Sequence, residues 1–367
     1  MKNVVFLCNE YNESSGWSII NYNYINYFAR KNRCFVFTSK NSKNKKIKNN
    51  VITYKSLNNP NDSFLKSNFI NIFFKILKIK RYRIDCIFIL NEPYAFFISS
   101  LKFLLKCKVY FLIVGTYSTK YLKRNNIYKF LYLKSLNKID NYISISEYSL
   151  KLFVSISKKK ILKKNVKIIY PGIRYLENKN YKIKRKKQFL SIGHIKERKG
   201  TFLLIKAFNE FLKKNDNSYT LLLIGNVSGK YAHQCVRYIH DNKLEKKIFI
   251  KSDLNQIEIQ NYIKKSLVHF LVSTNIKDDY EGFGIVHIES NLNGTPSVGC
   301  YDCGNESAIK NGVNGYLINQ NNIGQIYEKM VYFSKIYNTK KFTDLSISSH
   351  NYSRNFDWNK QLERINL

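Results

Sequence analysis

The sequence predicts an α/β protein built from two doubly wound parallel-sheet domains facing a central cleft. Three observations lead there. Short apolar runs alternate with stretches of helical spacing, the pattern of strands joined by crossover helices. That alternation stops at a basic, aperiodic segment, residues 179–187, and then begins again. The length, 367 residues, suits two domains of comparable size better than one.

In the first half, strands are expected at Val4–Cys8, Cys34–Thr38, Val51–Tyr54, Cys86–Leu90, Val109–Val114, Tyr142–Ile145 and Val166–Tyr170, with a helix from Trp17 to Lys31 after the first strand. Pro171-Gly172 closes this half. In the second half, strands are expected at Gln188–Ile192, Thr220–Ile224, Ile248–Lys251, Val268–Val272 and Ser297–Cys300, and Gly200 precedes a helix that ends near Lys214. The expected division is therefore 1–175, a basic linker at 176–187, a second domain at 188–350, and a terminal segment, 351–367, whose helix spans Asp357–Ile365. Ligands of such sheets bind beyond the carboxyl ends of the strands.

Composition excludes several classes. Hydrophobic content is 44%, aromatic content 15% and proline number four, which indicates a packed protein rather than a disordered one. The net charge of +37 suggests nucleic acid as a partner. The basic residues are mostly Lys, spread along the chain among abundant Asn, Ile, Tyr and Phe, and no nucleic-acid-binding signature accompanies them. No specific nucleic acid partner is therefore expected. Two stretches, Lys66–Arg83 and Lys120–Lys134, combine basic and aromatic residues at helical spacing, so contact with an anionic membrane surface is expected. No signal peptide precedes the first strand, and Lys102, Lys106 and Lys108 interrupt the longest apolar run, so a cytoplasmic protein, peripheral on the inner face of a membrane, is expected. Seven scattered Cys fit a reduced protein, and Cys300-x-x-Cys303 lacks a second pair and reads as a loop rather than a metal site.

The chemistry is concentrated near residue 285. Glu281 and Glu289 bracket seven residues that contain Gly282-Phe283-Gly284, and Ile285, Val286, Ile288 and Leu292 follow at helical spacing. A helix starting there offers unpaired amides and a positive dipole end to an anion, and glycine lets the anion come close. Carboxylates on either side suit hydroxyl groups, so the segment fits a sugar nucleotide. Gly193, His194, Arg198, Lys199 and Gly200 form a basic loop between the first strand and helix of the second half. Lys199 and Arg198 are cationic there, whereas His194 is largely neutral at pH 7 unless an anion raises its pKa. Gly16, after Ser14-Ser15, opens the first helix, and Gly115-Thr116 follow a strong strand. Asp278-Asp279 read as a solvated loop, and Ser146 reads as a helix cap.

The Glu281–Glu289 segment, with Gly294-Thr295-Pro296 behind it, resembles the E-x7-E signature of retaining glycosyltransferases of family 4 (glycosyl transferases group 1), which have the GT-B fold of two Rossmann-like domains. The Gly193–Gly200 loop resembles that family's diphosphate loop, with His194 where an Arg is usual. The resemblance implies a nucleotide-sugar donor, held by Gly16, Gly193, His194, Arg198, Lys199, Gly282, Phe283, Gly284, Ile285 and Glu289. It implies Glu281 as the catalytic-site acid on the transferred sugar, and no metal or other cofactor. It also implies a glycan or lipid-linked acceptor, with Gly115 and Thr116 on the acceptor side, and a role in polysaccharide, lipopolysaccharide or glycolipid assembly. Many relatives carry a His near Gly115, whereas all six histidines here lie at or after His194. A sugar-nucleotide epimerase and a phosphate- or nucleic-acid-binding module that kept the fold remain alternatives.

Overall fold

The computed structural model describes residues 1–13, 15–47, 50–58, 79–123, 127–157, 165–173 and 184–367. The chain forms two compact units, one made of Met1–Pro171 with Trp358–Leu367, the other of Gly172–Asp357. Among the described residues no helix is long and apolar enough to cross a membrane.

The first unit contains a seven-stranded sheet in the order β3-β2-β1-β4-β5-β6-β7. Its strands are β1 (Asn3–Leu7), β2 (Arg33–Ser39), β3 (Val51–Leu57), β4 (Cys86–Ile89), β5 (Lys108–Ile113), β6 (Asn141–Ser144) and β7 (Asn165–Ile168). All neighbours are parallel. Parallel strands covered on both faces need continuous apolar runs rather than alternation. β1 and β4 meet that need, since Val4–Leu7 and Cys86–Ile89 are buried throughout. The strand order reverses between β1 and β4, which makes that edge the switch point of the sheet. Helix Gly16–Ala29 follows β1 and starts in a capping box between Ser15 and Ser18. Ser146 caps helix Glu147–Ile156 by accepting the Ser149 amide.

The terminal helix is Trp358–Glu363. Trp358 packs edge-on against Tyr24 at 6.3 Å, and Gln361 accepts the Tyr170 amide, which fixes the helix on the first unit. Residues 351–357, expected with that helix, instead belong to the second unit. The preceding helix, Lys340–Ser353, extends into them because Ser346 and His350 bond the Gly294 and Leu292 carbonyls.

The second unit contains a six-stranded parallel sheet in the order β10-β9-β8-β11-β12-β13. It comprises β8 (Gln188–Ile192), β9 (Thr220–Ile224), β10 (Ile248–Lys251), β11 (Val268–Phe270), β12 (Ser297–Cys300) and β13 (Gly315–Ile318). β13 is the strand that sequence periodicity misses. Its four residues follow Asn311-Gly312-Val313-Asn314, so the turn chemistry dominates the local pattern, and pairing with β12 supplies the rest. Helix Thr201–Lys214 packs Leu204, Ile205, Phe208 and Phe211 into the core beneath this sheet.

The basic linker is described from residue 184 onward, and there it departs from a solvated tether. Arg185 is 5% exposed. Its guanidinium donates to the Lys264 carbonyl at 2.6 Å, the Asn293 carbonyl at 2.8 Å and Thr295 Oγ1 at 2.6 Å. Burial pulls its pKa down to about 10, which leaves it charged at neutral pH. The carbonyls at the end of helix Gln256–Lys265 would otherwise lack partners, so this cation serves as their cap. All seven cysteines are buried and free.

Candidate functional site

The second unit brings four of the expected residues onto one spot. Helix Ile285–Leu292 begins at Gly284, which sits at φ 85° and ψ 58°, in the left-handed region that disfavours other residues. A side chain there would also strike Asn305 and His287, at 2.7 and 2.8 Å. Asn305 is part of the scaffold: its Nδ2 donates to the Phe283 carbonyl and its Oδ1 accepts the Cys300 amide. Gly304 is needed for close approach, because a Cβ would meet the Gly282 carbonyl at 2.1 Å. No side chain caps the helix start. Phe283 is 2% exposed and its ring packs against Phe356, so only its backbone is available to a ligand.

Glu281 stands directly before this turn. Its Oε2 accepts from Lys199 Nζ at 2.5 Å and Arg198 Nη1 at 2.7 Å, and from Ser273 Oγ at 3.4 Å. The two cations come from a single 3-10 turn, Glu197–Lys199, that follows β8. Gly200 ends the turn at φ 66°, where a side chain would strike the Val272 carbonyl at 2.0 Å. Burial pushes the Glu281 carboxyl up, but the Lys199 and Arg198 charges outweigh it and hold it at about 2. Burial, joined by the Arg198 charge, pulls the Lys199 ammonium down against the lift from Glu281. The two directions follow from one arrangement: the carboxylate faces two cations, whereas Lys199 faces one anion and one cation.

Glu289 lies on the same helix, partly buried, and its carboxylate has no hydrogen bond or ion pair among the described residues. Burial pushes its pKa up to about 7. A partly desolvated carboxylate without a partner is costly. His194 is exposed, and burial followed by Lys196 and Lys199 lowers its pKa, so it is neutral and separate from Glu281. Arg198 is the second cation on Glu281. Gly193, at φ 139°, lies against the Lys199 stem. Asp278 and Asp279 are exposed. Among the described residues, no group of three His, Cys, Asp or Glu converges as a metal site. Cys303 donates its thiol proton to the Cys300 carbonyl, so the Cys-x-x-Cys pair closes a buried turn.

His269 and His287, which no local sequence pattern singles out, lie below this group. Both are fully buried with ring centroids 5.2 Å apart and no partner for either ring nitrogen. Burial holds His287 at about 3 and His269 well below its usual value, so both are neutral. They add no charge beside Lys199.

In the first unit, Gly16 begins its helix with open space, to 4 Å, around the position a Cβ would take, so neither backbone nor surroundings demand glycine there. Ser14 lies outside the described residues. Trp17 packs at a tilt against Tyr117, with ring centroids 5.0 Å apart, which joins the segments that carry Gly16 and Gly115-Thr116. Glu92 is a buried acid that the motifs do not reveal. It is 0% exposed, and its Oε1 accepts the amides of Val114 and Gly115 at 2.9 and 3.0 Å. Burial pushes its carboxyl up to about 7 against the pull of those amides. An acid in the apolar run that continues from β4 through Leu90 to Phe97 was the available signal.

Comparison with known proteins places this geometry. Residues 174–343 match the family model described as Glycosyl transferases group 1. Poly(glycerol-phosphate) alpha-glucosyltransferase from Bacillus subtilis (strain 168) is 30% identical over 169 residues, which cover 44% of this chain and 23% of that protein. The match thus spans about a quarter of that relative's length. The crystal structure of Anabaena Alr3699/HepE in complex with UDP superposes over 99% of both chains, with a TM-score of 0.77 and 15% identity. Sucrose-phosphate synthase (tll1590) from Thermosynechococcus elongatus gives a TM-score of 0.77 at 14% identity, covering 99% of this chain and 97% of its own. The chain has the GT-B fold of two Rossmann-like domains, and its residues 174–343 carry the Glycosyl transferases group 1 pattern.

Proposed function

We propose that the chain is a retaining, nucleotide-sugar-dependent hexosyltransferase of family 4, acting in cell-surface polysaccharide, lipopolysaccharide or glycolipid assembly. One observation carries the reading: two cations from one turn share a single carboxylate beside an uncapped helix start, with an unpaired carboxylate farther along that helix. A diphosphate can replace Glu281 as the partner of Lys199 and Arg198 and take the leading amides of the helix as well. Glu289 then accepts the ribose hydroxyls, and the released Glu281 orients the transferred sugar. As the donor bond breaks, negative charge grows on the leaving diphosphate, and these fixed cations and amides stabilise it. The two cations meet that charge without a metal ion. Acceptor attack on the same face retains configuration.

The donor class has support from relatives: HepE was also crystallised in complex with UDP-glucose. A polymeric acceptor fits the name of the Bacillus subtilis relative, and an anionic one fits the net charge of +37. Peripheral attachment to an anionic membrane from the cytoplasmic side rests on helix Ile127–Leu136, where Ile127, Phe130 and Leu131 are exposed beside Lys134. The other expected amphipathic stretch lies outside the described residues up to residue 78. A thermal-shift screen of UDP-, GDP- and ADP-sugars tests the donor class, since a ligand of the native state raises apparent stability. The anomeric configuration of the product, read by NMR, tests retention. No response to any nucleotide sugar, together with tight, salt-sensitive nucleic-acid binding, would overturn the proposal.

A further inference from the structure

A basic pocket lies at the amino edge of the first sheet, opposite the carboxyl edge where such sheets bind their substrates. Its cavity of about 310 Å³ is at the small end of the range for ligand pockets. Four cations, Lys2, Arg83, Lys106 and Lys108, line it against a single acid, Asp85. Ile84 and Cys86, both buried, line it as well and give it an apolar floor. The acid does not neutralise this group, since Asp85 Oδ2 accepts the Asn3 amide at 2.7 Å. Lys2 Nζ donates to the Leu367 carbonyl oxygen at 2.6 Å. Arg83, Lys106 and Lys108 have no ion pair or side-chain hydrogen bond among the described residues. Unpaired cations around one concavity repel one another, and its low-dielectric floor focuses their field on the space between them.

The fold holds these walls in place. Asn3 Nδ2 donates to the Tyr82 and Arg83 carbonyls at 3.1 and 3.2 Å, which fixes the turn that carries Arg83. Lys108 stands in register beside Cys86 on the neighbouring strand. Lys106 ends helix Ile98–Leu105 at φ 48°, and its amide bonds the Lys102 carbonyl. Glycine or asparagine ordinarily takes that left-handed position, and here a cation stands in it. The pocket is also apart from the loops discussed above. Lys108 opens β5 and Ile113 closes it, about 17 Å away at the usual rise per residue, and Gly115-Thr116 follow at that far end.

The chemistry narrows the ligand. A neutral sugar would leave the cations unpaired. A phosphate monoester carries about 1.5–2 negative charges at neutral pH and three acceptor oxygens, which suit a guanidinium fork and compact ammoniums. Its organic part can cover the apolar floor. We propose that Lys2, Arg83, Lys106 and Lys108 form a second anion site, separate from the sugar-nucleotide site, for the phosphate monoester of a small organic molecule, free or as a lipid headgroup. The glycosyltransferase reading is not required for it.

The test uses the full chain with UDP in excess, so that the proposed donor site is occupied. Isothermal titration measures binding of glycerol 3-phosphate, and of glycerol as the uncharged match, to the wild type, Arg83→Gln and Lys108→Gln. Both side chains are exposed, so both variants should keep the fold, which thermal melts verify. The expected result is binding of the ester but not of glycerol, weakened about tenfold in each variant, with UDP affinity unchanged. Absent ester binding in the wild type, equal binding in the folded variants, or equal binding of glycerol would each overturn the site. Vesicles of phosphatidic acid in phosphatidylcholine separate the two sources. Sedimentation that glycerol 3-phosphate reverses assigns the site to a headgroup, whereas ester binding without such sedimentation assigns it to a free ester. Failure of UDP to bind sinks the donor reading alone, because the Arg83 and Lys108 variants locate the ester by themselves.

Discussion

Replacing Glu281 by Gln separates what this carboxylate does for the fold from what it does for the ligand. In the free protein it is the shared partner of Lys199 and Arg198, and it is 9% exposed. Its pKa falls from 4.5 to about 2, a difference worth about 3 kcal/mol of native-state stability at neutral pH. Leaving two poorly solvated cations beside a neutral amide costs a similar amount by another route, since breaking a buried pair typically costs about 3–5 kcal/mol. Urea unfolding of Glu281→Gln should therefore show a loss of about 3 kcal/mol with an unchanged slope. Binding of the diphosphate should change in the opposite sense. UDP no longer has to displace a carboxylate from the two cations, so its affinity should rise about tenfold or more, each tenfold being about 1.4 kcal/mol. Sugar transfer should be lost in the same variant. Isothermal titration with UDP decides the matter. Unchanged or weaker UDP binding in a folded Glu281→Gln protein would refute the claim that these cations serve the diphosphate.

Three further outcomes are expected. Arg185→Met should destabilise the chain by about 3 kcal/mol, because it leaves the Asn293 and Lys264 carbonyls unpaired; a midpoint within error of wild type would show that the cap is dispensable. Glu92 and Glu289 both have folded pKa values near 7, above their usual 4.5, so the folded state holds more protons than the unfolded chain and stability falls as pH rises from about 4.5 to 7. Glu281 acts in the reverse direction, with its contribution lost as pH falls from about 4.5 towards 2, so stability measured against pH should peak on the acidic side of neutral; a rise through to pH 7 would contradict these assignments. Phe130→Glu should reduce sedimentation with vesicles containing phosphatidylglycerol and leave UDP-glucose binding intact, whereas undiminished sedimentation would remove helix Ile127–Leu136 from the membrane proposal.

Much of the fold was legible because its signals are local. Buried parallel strands such as Val4–Leu7 and Leu221–Ile224 are apolar throughout, and glycine or serine marks the starts of the helices that follow. β13 escaped because its four residues sit against a glycine- and asparagine-rich turn and depend on β12 for their conformation. Within the site, Lys199, Glu281 and Gly284 stood out through the motifs they belong to. Their meeting on one carboxylate oxygen depends on the turn ended by Gly200, 82 residues from Glu281 for Lys199, and no local pattern encodes that distance. Arg185 and Glu92 are less legible for a further reason. A basic residue in a lysine-rich segment reads as solvated, an acid in an apolar run signals no partner, and only the tertiary structure shows backbone groups waiting for them.

The seven buried thiols provide a reporter that needs no engineering. Cys8, Cys34, Cys86 and Cys107 belong to the first unit, and Cys235, Cys300 and Cys303 to the second. Burial raises the pKa of each, to about 11 for Cys107 and about 12 for Cys34, Cys235 and Cys300, so an alkylating reagent meets few thiolates while the chain is folded. Labelling therefore counts openings rather than surface exposure. Mapping the labelled sites by mass spectrometry then resolves which unit a bound nucleotide protects, and which unit opens first when none is present.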